Sequence, residues 1–164
     1  MRYKIFRYCF LLIILSFLIA GCKDSISDVK LPPDNSEKVT IKQGTWGNVW
    51  FWEGNFAPYS PHGTITPVVR EIYVYYATRY DSVITNQRTG FYDSILTKQI
   101  TKLWSDNTGF FQLELPPGKY NFFIKEDSCY YATEGDGAGY LLTATVTANS
   151  VTKRQIDINY KAVW

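Results

Sequence analysis

The chain has 164 residues, of which 46% are hydrophobic, 17% aromatic and 20% charged. That length suits one domain, and that apolar content supports a packed core, which excludes wholesale disorder. The formal charge of +2 arises from Arg2, Lys4 and Arg7; without them 14 of the 17 Lys and Arg remain against 15 Asp and Glu, so no basic face for nucleic acid is expected.

In chain order, Arg2, Lys4 and Arg7 form a basic n-region, and Cys9 to Ala20 is an apolar run interrupted only by Ser16. A membrane-crossing helix needs about 20 apolar residues, so this shorter run reads as a signal rather than a permanent anchor. Ile19-Ala20-Gly21-Cys22 resembles a bacterial lipobox. The resemblance implies that residues 1–21 are a lipoprotein signal peptide and that Cys22 is lipidated after cleavage. Several acyl chains anchor far more firmly than one, because each buried CH₂ adds about 0.8 kcal/mol. The alternative is an ordinary secretory signal that happens to contain a cysteine. Lys23-Asp24 resembles the Lys-plus-acid signals of surface-exported Bacteroidota-type lipoproteins. The expected location is therefore the cell envelope, at the outer membrane, facing the periplasm or the surface. With Cys9 cleaved away and Cys22 lipidated, Cys129 has no disulfide partner and reads as a small buried hydrophobe.

Residues 22–38 hold the lipidated cysteine and a polar stretch with Pro32-Pro33 and no periodicity, read as a flexible tether. Residues 39–164 are read as one β-domain. Gly44 to Gly54 is a first strand region. Val68 to Ala77 is the second, with Ile72, Val74 and Tyr76 on one face and Glu71, Tyr73 and Tyr75 on the other. Thr78 to Ser94 reads as a long polar connection, and Ile95 to Trp104 as an edge strand protected by Lys98 and Lys102. Asp106-Asn107-Thr108-Gly109 is a turn, followed by the alternation Phe111, Leu113, Leu115. Pro116-Pro117-Gly118 stops that strand, and Tyr120, Phe122 and Ile124 restart the alternation, so the stretch reads as a hairpin. Ser128 to Gly139 is read as a loop and Tyr140 to Ala148 as a strand. The last strand, Val151 to Tyr160, directs Ile156, Ile158 and Tyr160 inward and Gln155, Asp157 and Asn159 outward. Seven strand regions without a helix predict an all-β, seven-stranded antiparallel sandwich.

Gly47-x-Val49 with Gly54 downstream, then Ser105-Asp106-x-x-Gly109-x-Phe111-x-Leu113-x-Leu115-x-Pro117-Gly118-x-Tyr120, resembles the carboxypeptidase regulatory-like domain. The resemblance covers most of residues 39–160 and implies a transthyretin-like (Ig-like) β-sandwich, here on a small Bacteroidota-type lipoprotein. It implies no peptidase activity, because in carboxypeptidases this domain accompanies a separate zinc catalytic domain. His62 is the sole histidine, which disfavours a Ser-His-Asp triad and any metal site built on several histidines. The ending Tyr160-Lys161-Ala162-Val163-Trp164 also departs from the C-terminal motif of the related 5-hydroxyisourate hydrolases.

Two groups of side chains invite a functional reading. Trp46, Trp50 and Trp52 share a parity and form either a platform for sugar rings or ordinary core; Tyr73 and Tyr75 with Tyr130 and Tyr131 offer a second aromatic surface. Glu126, Asp127, Glu134 and Asp136 are the acidic residues from which a hydrolase or a Ca²⁺ site would be built, though glycines explain their loop as a turn. No cofactor and no metal are expected. The expected function is a non-catalytic, membrane-anchored binding or assembly module, with an envelope protein or a glycan as partner. The alternatives are a carboxylate-dependent hydrolase and a purely structural envelope lipoprotein.

Overall fold

The computed structural model describes residues 29–58, 62–133 and 135–164. The expected signal peptide, the lipidated Cys22 and Glu134 lie outside the described residues. Twelve strands follow in chain order: β1 (Gly44–Asn55), β2 (Thr64–Pro67), β3 (Glu71–Tyr76), β4 (Val83–Thr85), β5 (Phe91–Ile95), β6 (Gln99–Trp104), β7 (Phe110–Leu113), β8 (Gly118–Glu126), β9 (Cys129–Tyr131), β10 (Thr143–Val146), β11 (Val151–Lys153) and β12 (Ile156–Val163). The fold is all-β and sandwich-like, with one sheet of five strands and one of seven.

The five-stranded sheet is organised by β1. Its first half pairs antiparallel with β7 and its second half antiparallel with β2. Along the other edge it pairs in parallel with β11 and then β12. The expectation of a wholly antiparallel sandwich therefore holds for the seven-stranded sheet but not for this one. Parallel pairing needs a long crossover, and the chain between β1 and β11 supplies it by building the second sheet. That sheet runs β4-β5-β9-β8-β3-β6, with β10 paired to β8 beside β9. The count of twelve exceeds seven because several expected strands are broken. Thr78 to Ser94, expected as a connection, contains β4 and the start of β5, and its end meets buried Phe91 and Tyr92. Ser128 to Gly139, expected as a loop, contains β9. Lys98 and Lys102 lie on or beside β6, which is an edge strand as expected.

Residues 106–124 do not form a hairpin. β7 pairs with β1, whereas β8 pairs with β3, β9 and β10 in the other sheet. The proline pair withholds two backbone donors, and each strand has one strongly apolar face. Those faces meet through the core rather than side by side, with the Phe111 and Phe122 rings 6.1 Å apart. The preceding turn forms as expected: Gly109 N–H donates to Asp106 O at 2.9 Å, and Asp106 Oδ1 accepts from Thr108 and Phe110 N–H. The core joins Val49, Phe51, Ile156 and Ile158 of one sheet to Ile72, Val74, Phe122 and Ile124 of the other. Burying such side chains stabilises by about 1.5–3 kcal/mol each, so this interior carries the fold.

The end of the expected tether is not free. Asn35 is buried; its Nδ2 donates to Asn48 Oδ1 at 2.7 Å, and Asn48 Nδ2 donates to Asp34 O at 2.8 Å. Lys153 also pairs with Asp34. Asp34 and Asn35 thus lie against β1, and Lys38 reaches Asp106 and Thr108 of the turn at residues 106–109.

Candidate functional site

The three tryptophans sit on the outer face of the five-stranded sheet, opposite the core residues Val49 and Phe51. Their environments differ. Trp50 is only 8% exposed, and its Nε1 has no hydrogen-bond partner among the described residues. Trp46 is half-buried beside Phe110, with Lys153 Nζ 5.2 Å from its ring centre. Asn48 shares this face, and the Asn35 contact covers it there. That contact does not reach the far end of β1. Trp52, Phe56 and Trp164 form a ledge with centroid separations of 5.2 Å (Trp52–Phe56), 5.8 Å (Trp52–Trp164) and 5.1 Å (Phe56–Trp164). Trp164 is 68% exposed. Trp52 Nε1 donates to Asp157 Oδ1 at 2.9 Å, and Gln155 Nε2 donates to the same oxygen at 3.0 Å. These bonds fix the Trp52 ring and place polar groups at the edge of the ledge.

The four tyrosines do not form one surface. Tyr73, Tyr75 and Tyr130 share the outer face of the seven-stranded sheet, where they pack with Phe123 and one another. Tyr75 is buried, and Lys125 Nζ lies 4.2 Å from the Tyr130 ring centre. Tyr131 alternates to the opposite face and enters the sandwich interior.

There it helps to line an open cavity of about 350 Å³ at the mouth between the sheets. Tyr131, Phe91 and Tyr160 form an edge-to-face triangle with centroid separations of 4.9, 5.2 and 5.4 Å. Arg88 lies over the Phe91 ring, its guanidinium carbon 3.6 Å from the centroid. Tyr131 OH donates to Asn159 Oδ1 at 2.7 Å and accepts from Asn159 N–H at 3.1 Å. Asn159 was expected to point outward, in alternation with Tyr160. Between Phe51 and Glu53 the pairing advances two residues on β1 but three on β12, from Ile158 to Lys161. This bulge turns the consecutive residues Asn159 and Tyr160 both toward the cavity. Nothing in Asp157-Ile158-Asn159-Tyr160 marks a bulge, so strict alternation misplaced Asn159.

The acidic residues are held apart, each on its own cation. Glu126 is buried, accepting from Arg70 Nε on one oxygen and from Tyr160 OH at 2.9 Å on the other. Asp127 lies 3.9 Å from Arg88, and Asp136 2.9 Å from Lys119. No group of three or more His, Cys, Asp or Glu is placed to hold a metal among the described residues. His62 sits on an exposed loop and donates its backbone N–H to Asn55 O at 2.8 Å. Cys129 is half-buried rather than fully buried, with its sulfur 3.7 Å from Asp93 Oδ1.

Burial, then the Glu126 carboxylate, pushes the Tyr160 hydroxyl up to about 12, and burial does the same for Tyr92. Tyrosine in an unfolded chain loses its proton near 10. Between about pH 10 and 12 the unfolded chain therefore binds fewer protons than the native one, and stability falls as pH rises through that window. The melting temperature is expected to stay level up to about pH 10 and to drop steeply above it. A flat profile to pH 12 would show that Tyr160 and Tyr92 titrate normally in the folded state.

No family model matches the chain, nor does any curated protein or solved structure.

Proposed function

We propose that this chain is a non-catalytic lipoprotein of the bacterial envelope that binds glycan on the aromatic ledge of Trp52, Phe56 and Trp164. The observation that carries the reading is the ledge itself. Three rings lie within 6 Å of one another on an outer sheet face, one of them largely exposed, with Asp157 and Gln155 at their edge. A sugar ring offers apolar C–H groups to such a surface and hydroxyls to flanking polar groups. The carboxylates support the non-catalytic part, since those described are separated and neutralised rather than converging in a cleft. The lipobox-like residues 19–22 support membrane attachment through Cys22 and an outer-membrane location. The Gly47 to Tyr120 pattern supports a transthyretin-like sandwich of the carboxypeptidase regulatory-like kind.

A protein partner added along a sheet edge is less favoured. On the seven-stranded sheet, β4 has only three residues, and β6 carries Lys102 with Lys98 just before it, which discourage strand addition there.

The test is tryptophan fluorescence of the full chain during titration with a panel of polysaccharides. One glycan is expected to give a saturable shift, and Trp52→Ala or Trp164→Ala to weaken it about tenfold, the loss of ~1.4 kcal/mol of stacking. Absence of a shift with every glycan, or unchanged binding in both variants, overturns the glycan reading.

A further inference from the structure

The mouth cavity carries a second binding proposal that does not rest on the ledge. It lies on the inner face of the five-stranded sheet, whereas the ledge lies on the outer face. Its construction is specific. Arg88 lies over the Phe91 ring, its guanidinium carbon 3.6 Å from the centroid, and its guanidinium N–H groups make no hydrogen bond to the described residues. Its ion pair with Asp127 is long, at 3.9 Å, and both side chains are well exposed, so that contact is worth little. Asn159 commits its Oδ1 to Tyr131, and its Nδ2 makes no hydrogen bond to the described residues, which leaves two donors at the cavity lining. Thr89 and Thr133 add hydroxyls at the rim. Among the described residues two carboxylates lie near this wall: Asp127, in its long contact with Arg88, and Glu126, already bonded to Arg70 and Tyr160. The polar side of the cavity is thus dominated by donors and one cation, while the other side is aromatic.

We propose that this cavity binds a small carboxylate with a ring-shaped body, its carboxylate meeting Arg88 and Asn159 Nδ2 and its ring resting against Tyr160. Arg88 suits a carboxylate because its planar fork gives two parallel N–H donors. A volume of about 350 Å³ limits the ligand to a single ring with its substituents. Two sources share this chemistry: an acidic sugar unit of a glycan, and a free aromatic acid.

Isothermal titration of the full chain at low salt with glucuronate, benzoate and glucose tests the proposal. Glucuronate or benzoate is expected to bind with a Kd of about 1 mM or tighter, and neutral glucose at least about tenfold more weakly. Binding of glucuronate alone identifies the acidic sugar as the source, and binding of benzoate alone the free acid; either supports the site. Arg88→Gln is expected to weaken the carboxylate about tenfold, and Arg88→Lys, which keeps the charge but not the fork, to give an intermediate loss. Asn159→Asp, which replaces the donors by a negative charge, serves as a second variant should Arg88→Gln fold poorly. No binding of either carboxylate, binding equal to that of glucose, or affinity undiminished in a folded variant overturns the proposal. Failure here leaves the ledge reading standing, because neither Trp52 nor Trp164 takes part.

Discussion

Gly47→Ala is expected to destabilise the protein by about 3 kcal/mol or more, or to prevent folding, although the residue adopts an ordinary backbone conformation. The reason is space. A Cβ there would fall closer than 3.0 Å to the carbonyl carbon and oxygen of Arg154, and 3.0 Å from Phe111 Cε1. Arg154 bridges β11 and β12, and its N–H donates to Trp46 O at 2.7 Å. Backbone cannot turn aside as a flexible side chain can, so the β11–β12 crossing would have to leave β1 and give up its parallel ladders. Gly137→Ala is the control. Gly137 has φ +76 with nothing within 4 Å of the added carbon. Its cost is confined to backbone strain, about 1 kcal/mol. Urea unfolding of both variants separates the two effects. Equal midpoints would mean that the close approach of Arg154 to β1 is wrong, and with it the placement of β12 that builds both the ledge and the mouth.

The turn at residues 106–109 and the strands that follow it show what the sequence reveals and what it hides. Local turn chemistry was legible: Asp106 caps its own turn, and Gly109 takes φ +79, as the Asx-Gly pattern predicts. Side-chain parity was legible wherever the ladder is regular, so Ile72 and Val74 face the core and Trp46, Trp50 and Trp52 share the outer face. Partner choice was not legible. A two-residue period says which face of β7 is buried but not which strand lies beside it, so Phe111 and Phe122 suggest a hairpin although they meet across the core. β5 was hidden because Asp93 and Ser94 dilute a strand that is buried only at Phe91 and Tyr92. The candidate residues divided for the same reason. Tyr130 and Tyr131 are neighbours in sequence, and alternation sends them to opposite faces of one sheet. Trp164 and Phe56 join Trp52 only because the parallel pairing of β12 with β1 brings the last residues beside the loop after Asn55. Nothing local announces a contact of that sequence separation.

Hydrogen-bond partners can outweigh burial in setting the acidity of a carboxyl group. Burial alone would raise the pKa of Asp106; hydrogen bonds from Thr108, Lys38 and the Thr108 and Phe110 backbone outweigh it and hold the carboxyl at about 2. Asp106 is thereby committed to fixing its turn.

Glu126→Ala carries that argument to the one carboxylate buried among the described residues. Its expected cost is about 3 kcal/mol, at the low end for breaking a buried pair because the Arg70 side chain keeps some contact with water. Glu126 closes β8, Arg70 enters β3 and Tyr160 lies on β12, so its two oxygens tie the seven-stranded sheet to the five-stranded one. Glu126→Gln preserves shape but removes the charge, and is expected to cost about half as much, since a neutral hydrogen bond is roughly half as strong as a charge-assisted one. A double-mutant cycle with Arg70→Met, read by urea unfolding, should return a coupling of about 1–3 kcal/mol. The cycle also bears on function. A buried carboxylate held by Arg70 on one oxygen and by Tyr160 on the other ties the sheets together, which disfavours its use in moving a substrate proton. Zero coupling with unchanged stability would release Glu126 from that structural role, and the hydrolase reading would then regain its strongest residue.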